Sequence, residues 1–329
     1  MSRLDELIAE LCPDGVECKR LINICSEIIV PMRDRPKVFD GNIPWCRIED
    51  KEGQYFHRSL SGLGVSEKTI KSMNLKVFPK GTVICSCSAS LGAYAINTQP
   101  LVTNQTFLGL VCSNSIYNKY LLYYMETQTD KLKSLASTGT VPYISRRKFE
   151  ELVVPVPPLP VQQEIVRILD KFTALEAELE ARKKQYEYYL DQILSYEGRD
   201  DVRWMMLGEV CTVTDNINWR ESQEKYKYID LTSVSRDTHK ITETIMIDKS
   251  TAPSRAQKLL KKDDIIFATT RPTLRRFAII TDEYDGQVCS TGFCVLRANQ
   301  KDVLPKWIYY NIAKTDFYIY MESVQKGSA

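Results

Sequence analysis

Threonine and arginine side chains are concentrated in residues 268–276, ATTRPTLRR, between two short apolar runs. A guanidinium group can donate two hydrogen bonds to O6 and N7 of guanine, and a threonine can contact a phosphate or a thymine methyl group. Loops on a rigid scaffold commonly carry binding residues. We therefore expect this loop to contact DNA through its polar side chains, which are Thr269, Thr270, Arg271, Arg275 and Arg276. A solvated basic hairpin without a ligand is the alternative.

A second polar loop, residues 86–94 with the sequence SCSASLGAY, lies at the matching place in the N-terminal half. It contains no arginine, but small hydroxyl groups allow a close approach to phosphates, and a tyrosine can stack or form a hydrogen bond. The expected DNA contacts are Ser86, Ser88, Ser90 and Tyr94, and an ordinary turn is the alternative. A difference between the two loops is expected if the two halves read different sequences.

Basic side chains outside these loops are further candidates for DNA contacts. Arg33 and Arg35 flank an aspartate in a proline-containing segment. Arg146 follows a Thr-Gly-Thr loop, and Arg255 belongs to the basic stretch that precedes the second apolar run. The net charge of +2 is weak for a nucleic-acid-binding protein. It still permits DNA binding, because much of the compensating negative charge lies elsewhere, including residues 176–187.

Both loops belong to a repeated pattern. Residues 76–96 and 258–280 each contain a basic approach, a short β run, a polar loop and a return strand. The correspondence continues along the chain with an offset that drifts by only a few residues, as loop insertions allow. The repeat predicts two tandem α/β (mixed α+β) domains, residues 1–153 and 199–329, joined by a hinge and a helix at 154–198.

A proline-rich stretch leads into the predicted connecting helix, which runs from about Val161 to Ser195. Its apolar residues are spaced alternately three and four apart, a 3.5-residue period that is typical of coiled coils. About 35 residues at 1.5 Å each span ~52 Å, which exceeds one turn of B-DNA at about 34–36 Å. The seam, expected to form a subunit interface, consists of Ile165, Ile168, Phe172, Leu175, Leu179, Arg182, Tyr186, Tyr189 and Ile193. A helix that only caps one domain is the alternative.

A coiled-coil seam requires a partner helix. The second copy of the pattern ends near Ser328 without a following helix, so we expect the chain to stop before a second connector. The seam is then expected to recruit another chain, either a second copy of this protein or a helix of a separate enzyme subunit. Arg182, the polar residue of the seam, is expected to fix the register.

Composition argues against several other classes of protein. No apolar run approaches 18 residues, and acidic residues interrupt the N-terminal segment where a signal peptide needs an apolar stretch. We therefore expect a cytoplasmic protein without a membrane span. The ten cysteines are scattered without a Cys-x-x-Cys pair, and the chain has two histidines, so we expect no metal site. The cysteines are interpreted as small, reduced core residues.

Catalytic motifs are missing from the sequence. It contains no Gly-x-x-x-x-Gly-Lys-Ser/Thr loop, no dinucleotide-binding glycine pattern, and no Gly-x-Ser-x-Gly or His-Glu-x-x-His motif. The Pro157-Pro158 pair lacks the polar and aromatic neighbours with which N6-adenine methyltransferases hold a flipped base. These absences favour a recognition subunit over an enzyme.

Residues 154–196, VPVPPLPVQQEIVRILDKFTALEAELEARKKQYEYYLDQILSY, resemble the central conserved region of the DNA-specificity subunits of type I restriction–modification systems. Residues 138–145 are similar to the loop that ends the target-recognition domains of that family. Tandem domains of this layout are also the family's architecture. The resemblance implies that each half reads one part of a split DNA site and that the helix fixes the gap between the two parts.

The resemblance also implies partners. Two adenine methyltransferase subunits would dock on the conserved regions, and a motor-nuclease restriction subunit would join them. S-adenosylmethionine, Mg²⁺ and ATP would be bound by those partners and no cofactor by this chain. Two alternatives stay open at this point: a truncated interaction protein or decoy that binds the methyltransferase without competent DNA recognition, and an unrecognised DNA-modifying enzyme.

Overall fold

The computed structural model describes residues 2–31, 35–137, 140, 142–196 and 198–324. The chain forms two compact units, Met1–Ala177 and Glu178–Ala329, and the division between them falls within one long helix. The predicted mixed α/β fold with a long helix is confirmed. The domain boundaries at residues 153 and 198 stay a prediction.

The first unit combines short helices with short strands. Its helices are α1 Arg3–Leu11, α2 Leu21–Ile24, α3 Glu67–Ser72, α4 Asn118–Thr127, α5 Thr129–Ser134 and α6 Arg146–Glu150, and the long helix α7 Leu159–Ile193 begins in it. Its strands are β1 Cys18–Arg20, β2 Cys25–Ile29, β3 Ile43–Cys46, β4 Lys51–Glu52, β5 Tyr55–Phe56, β6 Gly64–Val65, β7 Val77–Phe78, β8 Val83–Ser86, β9 Tyr94–Asn97, β10 Leu101–Thr103, β11 Phe107–Cys112 and β12 Val153–Pro155.

Two larger sheets form the centre of the first unit. One has the strand order β6-β3-β10-β7, and the other has the order β2-β11-β8-β9-β5-β4. The central strands are continuous apolar runs instead of alternating ones, because both of their faces are covered. All four residues of β8 and all four residues of β9 are buried. The fully buried rings of Phe56, Phe78 and Phe107 fill the space between the sheets and their neighbours.

The second unit follows the same scheme. Its helices are α8 Leu207–Val210, α9 Pro305–Ala313 and α10 Thr315–Val324. Its strands are β13 Cys211–Thr212, β14 Tyr226–Ile229, β15 Ile245–Ile247, β16 Ala256–Leu259, β17 Ile265–Ala268, β18 Phe277–Ile279, β19 Val288–Ser290 and β20 Phe293–Ala298. They form sheets of order β15-β14-β19-β16 and β13-β20-β17-β18.

The duplication inferred from the sequence extends to strand register. In the first unit β8 pairs antiparallel with β11 from Val83 opposite Leu110, and in the second unit β17 pairs with β20 from Ile265 opposite Leu296. In both units four residue pairs then lead to the polar loop. The parallel pair β3–β10 is matched by the parallel pair β14–β19. The two units therefore share one pattern of strand pairing, which we call the sheet frame, and differ in the polar loop that the frame carries.

The long helix is attached to the first unit by a buried glutamine. The side chain of Gln162 accepts a hydrogen bond from the backbone amide of Tyr117 at 2.8 Å and donates to the carbonyls of Ser115 and Pro157 at 3.0 and 2.7 Å. Every polar atom of this buried amide group is thereby satisfied, as burial requires. The first turns of α7 consequently belong to the packing of the first unit.

The described part of the chain, which omits residues 1, 32–34, 138–139, 141, 197 and 325–329, contains no helix that is long and apolar enough to cross a membrane.

Candidate nucleic-acid interface

The loop between β17 and β18 is anchored at both ends to the second unit. The amide and hydroxyl of Thr269 both donate to the carbonyl of Gly292, at 2.9 and 3.0 Å. At the base of the loop, the amide of Ala268 donates to the carbonyl of Arg276 at 2.8 Å. Between them lies a single 3-10 turn, Pro272–Leu274, whose proline ring is buried. Hydrogen bonds within the unit therefore hold the loop at both of its ends.

Two residues of this loop adopt the left-handed backbone region. Arg271 and Arg275, which flank the 3-10 turn, have φ angles of 52° and 50°. This conformation costs a non-glycine residue about 1–2 kcal/mol. It persists only where surrounding contacts determine it, and such residues are concentrated at functional sites.

The three arginines of the loop have different environments. Nη1 of Arg276 donates to the carbonyls of Leu231 and Val234 at 2.8 and 2.5 Å, so one nitrogen of this guanidinium is engaged within the unit. Arg276 thereby ties the loop to residues 231–234, and the expectation that it contacts DNA stays a prediction. The guanidinium of Arg275 lies 5.0 Å from the ring centroid of Tyr318 in α10, within the range of a cation–π contact.

Arg271 and Thr270 are candidate residues of this loop whose side chains have no hydrogen-bond partner among the described residues. Both side chains are exposed. Among the described residues, Arg271 forms no salt bridge and no side-chain hydrogen bond. A free guanidinium on a constrained backbone has the donor geometry that guanine or phosphate recognition requires.

A histidine that the sequence analysis did not select lies beside this loop. The ring of His239 stacks on Phe277 with a centroid distance of 3.9 Å, and its Nδ1 is buried without a hydrogen-bond partner in the described residues. Burial lowers the pKa of His239; the backbone of Arg275 opposes that shift, and the Arg275 charge adds to it. A lone histidine 32 residues before Arg271 carries no local signal that links it to the loop, because only the tertiary fold brings them together.

The matching loop of the first unit departs from expectation at two positions. Ser86 is buried, and its hydroxyl donates to the carbonyl of Ser88 at 2.8 Å. Tyr94 is a core residue whose hydroxyl accepts a hydrogen bond from Thr129 Oγ1 at 3.4 Å, and burial raises the pKa of Tyr94 to about 12. Both side chains are buried because β8 and β9 extend one residue further than the apolar pattern indicates, and their expected DNA contacts stay predictions. Ser90 is exposed.

The backbone of this first loop is closely covered by helix α5. Gly92 has a φ of 94°, and a Cβ atom at this position would lie 2.7 Å from Cγ2 of Thr129. Ser88, which is half-buried, forms an isolated antiparallel bridge with Tyr143. The loop is therefore fixed from two sides, and its exposed surface centres on Ser90 and its neighbour Ala89.

The other basic candidates that the structure describes lie on the surface. Arg33 lies outside the described residues. Arg35 is exposed, and its guanidinium lies 5.1 Å from the ring centroid of the buried Trp45. Arg146 pairs with Glu150 one turn along α6, with Nε and Oε1 2.5 Å apart. Arg255 is exposed just before β16.

The apolar seam of α7 is exposed along most of its length. Phe172, Leu175 and Leu179 are each more than half exposed, and the same holds for Tyr186, Tyr189 and Ile193. Two members differ. Ile168 and Ile165 are half-buried, and Ile165 packs against the core of the first unit, so its place in a subunit interface stays a prediction.

Arg182 lies in the exposed part of the seam. Its guanidinium is 3.7 Å from Glu178 on the same helix. Such an exposed pair contributes little to stability. Its expected role in setting the register of a coiled coil stays a prediction.

Metal binding finds no support in the side-chain geometry of the described residues. They contain no group of three or more histidine, cysteine, aspartate or glutamate side chains that could hold an ion. Cysteines near the loops are instead buried and protonated: burial raises the pKa of Cys87 to about 11 and that of Cys289 to about 12.

Comparison with known proteins identifies one family. The model of the type I restriction modification DNA specificity domain matches residues 26–186. The chain is 33% identical over 150 residues to the type I restriction enzyme MjaIX specificity subunit of Methanocaldococcus jannaschii, covering 45% of this chain and 34% of that protein. It is 34% identical over 237 residues to the type I restriction enzyme EcoprrI specificity subunit of Escherichia coli, covering 64% and 58%.

A solved structure agrees with these sequences at the level of fold. The type I restriction–modification S subunit from M. genitalium superposes with a TM-score of 0.56 at 14% identity, over 94% of this chain and 80% of that one. The chain spans about a third of the length of the MjaIX subunit and rather more than half of the length of the EcoprrI subunit. Residues 26–186 therefore match the type I restriction modification DNA specificity domain, the chain is similar in sequence to type I specificity subunits, and its fold resembles that of a solved S subunit.

Proposed function

We propose that this protein is a sequence-specific DNA-recognition subunit without catalytic activity of its own, and that it reads a site of two separated parts. The observation that carries the proposal is the repetition of one sheet frame, with matching pairing in β8–β11 and β17–β20, before and after α7 in the sequence. Two copies of one frame that carry different loops suit the reading of two different short sequences.

The two loops supply different recognition chemistry. In the second unit, the exposed Arg271 and Thr270 suit the reading of base edges in the major groove. In the first unit, Ser90 and the glycine-containing backbone suit contact with phosphates and sugar. Arg35 and Arg255 add exposed positive charge, which attracts the DNA backbone in a salt-dependent way.

The long helix supplies the spacing between the two sequences. Its 35 residues correspond to ~52 Å of helix. The exposed seam from Phe172 to Ile193 supports docking of partner chains, which we assign to the adenine methyltransferase subunits. S-adenosylmethionine, Mg²⁺ and ATP would then be bound by the methyltransferase and by a motor-nuclease subunit.

Selection from a randomised duplex library tests the proposal. The full chain, with methyltransferase subunits added in a parallel sample, is expected to enrich two short blocks separated by a fixed gap. Deleting residues 176–182 removes one heptad, which keeps the seam in phase and shortens the helix by about 10 Å, or about three base pairs. The gap is expected to shrink accordingly, and duplicating the same heptad is expected to lengthen it.

The matched control is Lys183→Ala, which changes an exposed side chain outside the seam and leaves the helix length unchanged. A gap that stays constant in both heptad variants contradicts the spacing role. Enrichment of no sequence in either sample contradicts DNA recognition. Capture of the methyltransferase without any enrichment supports the second candidate, a partner-binding protein, which the exposed seam favours.

A further inference from the structure

The loop of Arg271 is held between two elements of the second unit. On one side lies the 233–242 hairpin, in which Val234 pairs with Ile241 and the amide of Thr242 donates to the carbonyl of Ser233 at 2.8 Å. On the other side lies α10, which packs directly on the 3-10 turn Pro272–Leu274. Neither element is close to the loop in sequence.

Each flanking element contacts the loop through one arginine. Arg276 reaches the start of the hairpin, where its Nη1 donates to the carbonyl of Val234 and to that of Leu231, which precedes the hairpin. Arg275 reaches α10, where its guanidinium lies 5.0 Å from the ring centroid of Tyr318. Tyr318 is 6% exposed, and its hydroxyl has no hydrogen-bond partner in the described residues. The ring of Tyr318, not its hydroxyl, is therefore the part that contacts the loop.

Aromatic packing continues this contact into the base of the loop. Phe277, the first residue of β18, packs against His239 of the hairpin at 3.9 Å and against Tyr309 of α9 at 5.3 Å. Tyr318 itself lies 6.2 Å from the same ring. The cluster thus joins the hairpin, α9 and α10 to the residue directly after Arg276.

The first unit shows the same arrangement independently. There the helix that follows α4 covers the loop: Thr129 of α5 bonds to Tyr94 at the base of β9, and its methyl group leaves no space for a Cβ at Gly92. In both units the second helix after the last long strand therefore presses on the polar loop, although the contacting residues differ.

We infer that Tyr318 and Arg275 form a positioning pair that fixes Arg271 in its left-handed conformation for sequence recognition, so that α10 sets the specificity of a loop it does not belong to. Arg271 is the residue of this group that contacts DNA, whereas Arg275 and Arg276 act through it. This inference rests on the proposed function, because it assigns roles within the same recognition loop.

Limited trypsin digestion of the full chain reports on the loop without DNA. The Arg271–Pro272 bond resists trypsin, so cleavage in the loop occurs after Arg275 and Arg276. Tyr318→Leu removes the ring and is expected to accelerate this cleavage by about threefold to tenfold, the range that one cation–π contact supports. Tyr318→Phe keeps the ring and is expected to match the unmodified chain.

Selection from a randomised duplex library then reports on recognition. Tyr318→Leu is expected to lose one of the two enriched blocks and keep the other, whereas Tyr318→Phe keeps both. Tyr309→Leu is the matched control, since it removes an aromatic ring from the same cluster but leaves the ring beneath Arg275. Arg275→Asn, which tolerates the left-handed region, tests the pair without altering the core.

The outcomes distinguish a failure of the positioning pair from a failure of the proposed function. Loss of one block in Tyr318→Leu and Arg275→Asn, but not in Tyr309→Leu, supports the positioning pair. Retention of both blocks in those variants overturns it, and so does equal loss in Tyr309→Leu, which indicates general destabilisation. If the unmodified chain enriches no block, the proposed function fails, and unchanged cleavage in Tyr318→Leu overturns the positioning contact itself.

Discussion

Arg297 holds the buried carboxylate of Asp264 through two parallel hydrogen bonds, from Nε to Oδ1 at 2.9 Å and from Nη2 to Oδ2 at 2.8 Å. The same carboxylate accepts a hydrogen bond from the backbone amide of Lys261 at 2.8 Å. Asp264 directly precedes β17, and Arg297 lies in β20. The pair therefore fixes the start of the strand whose other end carries the Arg271 loop.

Asp264→Asn is expected to destabilise the second unit strongly. The change removes the charge of a buried carboxylate that is paired with Arg297, and breaking a buried ion pair from one side costs about 3–5 kcal/mol. Urea unfolding followed by tryptophan fluorescence measures this, since Trp204, Trp219 and Trp307 all lie in the second unit. Asp215→Asn is the control: its exposed carboxylate lies 3.6 Å from Arg297 and is worth no more than about 1 kcal/mol. Equal effects of both changes contradict this assignment.

The stability of the second unit is expected to fall in mildly acidic solution because of His239. Burial lowers its pKa, so the folded chain binds this proton less readily than the unfolded chain. The stability associated with the neutral ring is present above the unfolded pKa of about 6.5 and is lost as the pH falls through the folded value.

Urea unfolding between about pH 7.5 and pH 5, where histidine titrates, measures this dependence. His239→Asn tolerates the positive φ of 52° and removes the titrating group, so it is expected to flatten the pH dependence. Arg275 and Asp237, the charged groups that influence the ring, remain in this variant. An unchanged slope in His239→Asn means that other groups cause the acid sensitivity.

Two replacements of Arg271 are expected to distinguish the electrostatic attraction of this residue to DNA from its recognition of a base. Arg271→Asn removes a cation and should lower the salt dependence of DNA binding by about one unit of slope. Arg271→Lys keeps the charge but loses bidentate hydrogen bonding, so it should keep the slope and lose about 1–3 kcal/mol of discrimination between sequences.

Binding titrations of an enriched duplex at several salt concentrations provide both quantities. Lys301→Ala is the matched control, because this exposed lysine follows the far end of β20, away from the loop. A Lys301→Ala slope that changes as much as that of Arg271→Asn argues against a specific role for Arg271.

Charges placed in the seam of α7 are expected to prevent association with partner chains. The double variant Phe172→Asp, Leu179→Asp replaces two apolar side chains, which are 61% and 57% exposed, with carboxylates. Desolvation of these charges opposes helix pairing, whereas the folded units lose no buried contact. Size-exclusion chromatography and methyltransferase pull-down measure association, and circular dichroism measures folding.

Ala177→Asp serves as the control for the seam variant. Ala177 is exposed on the opposite face of the helix, two residues after Leu175 and two before Leu179. It should leave association unchanged. Retained association in the double variant places the partner interface elsewhere.

The sequence predicted the frame well because strand pattern and helix period are local properties. The apolar runs at residues 83–85 and 265–267 became β8 and β17, and the 3.5-residue period gave one continuous helix, Leu159–Ile193, two residues ahead of the predicted bounds. These features depend on neighbouring residues alone.

The roles of individual loop residues depend on partners far along the chain and were not predictable. Arg271, Arg275 and Arg276 have the same side chain. Arg276 differs because it binds Val234, which lies 42 residues earlier in the chain. Likewise, Ile165 continues the heptad pattern of the seam but packs on the first unit. Burial of Tyr94 follows from its contact with α5, which periodicity does not reveal.

Because the strand register is repeated while the loops differ, stability and DNA specificity can evolve through different residues of each unit. In each unit the ladder ends at the base of the polar loop, at Ser86 in the first unit and Ala268 in the second, so a changed exposed side chain at the loop tip breaks no strand hydrogen bond. Surface substitutions of this kind usually alter stability by less than about 0.5 kcal/mol. Selection can therefore retarget one half of the molecule through a few codons while the inherited scaffold continues to fold.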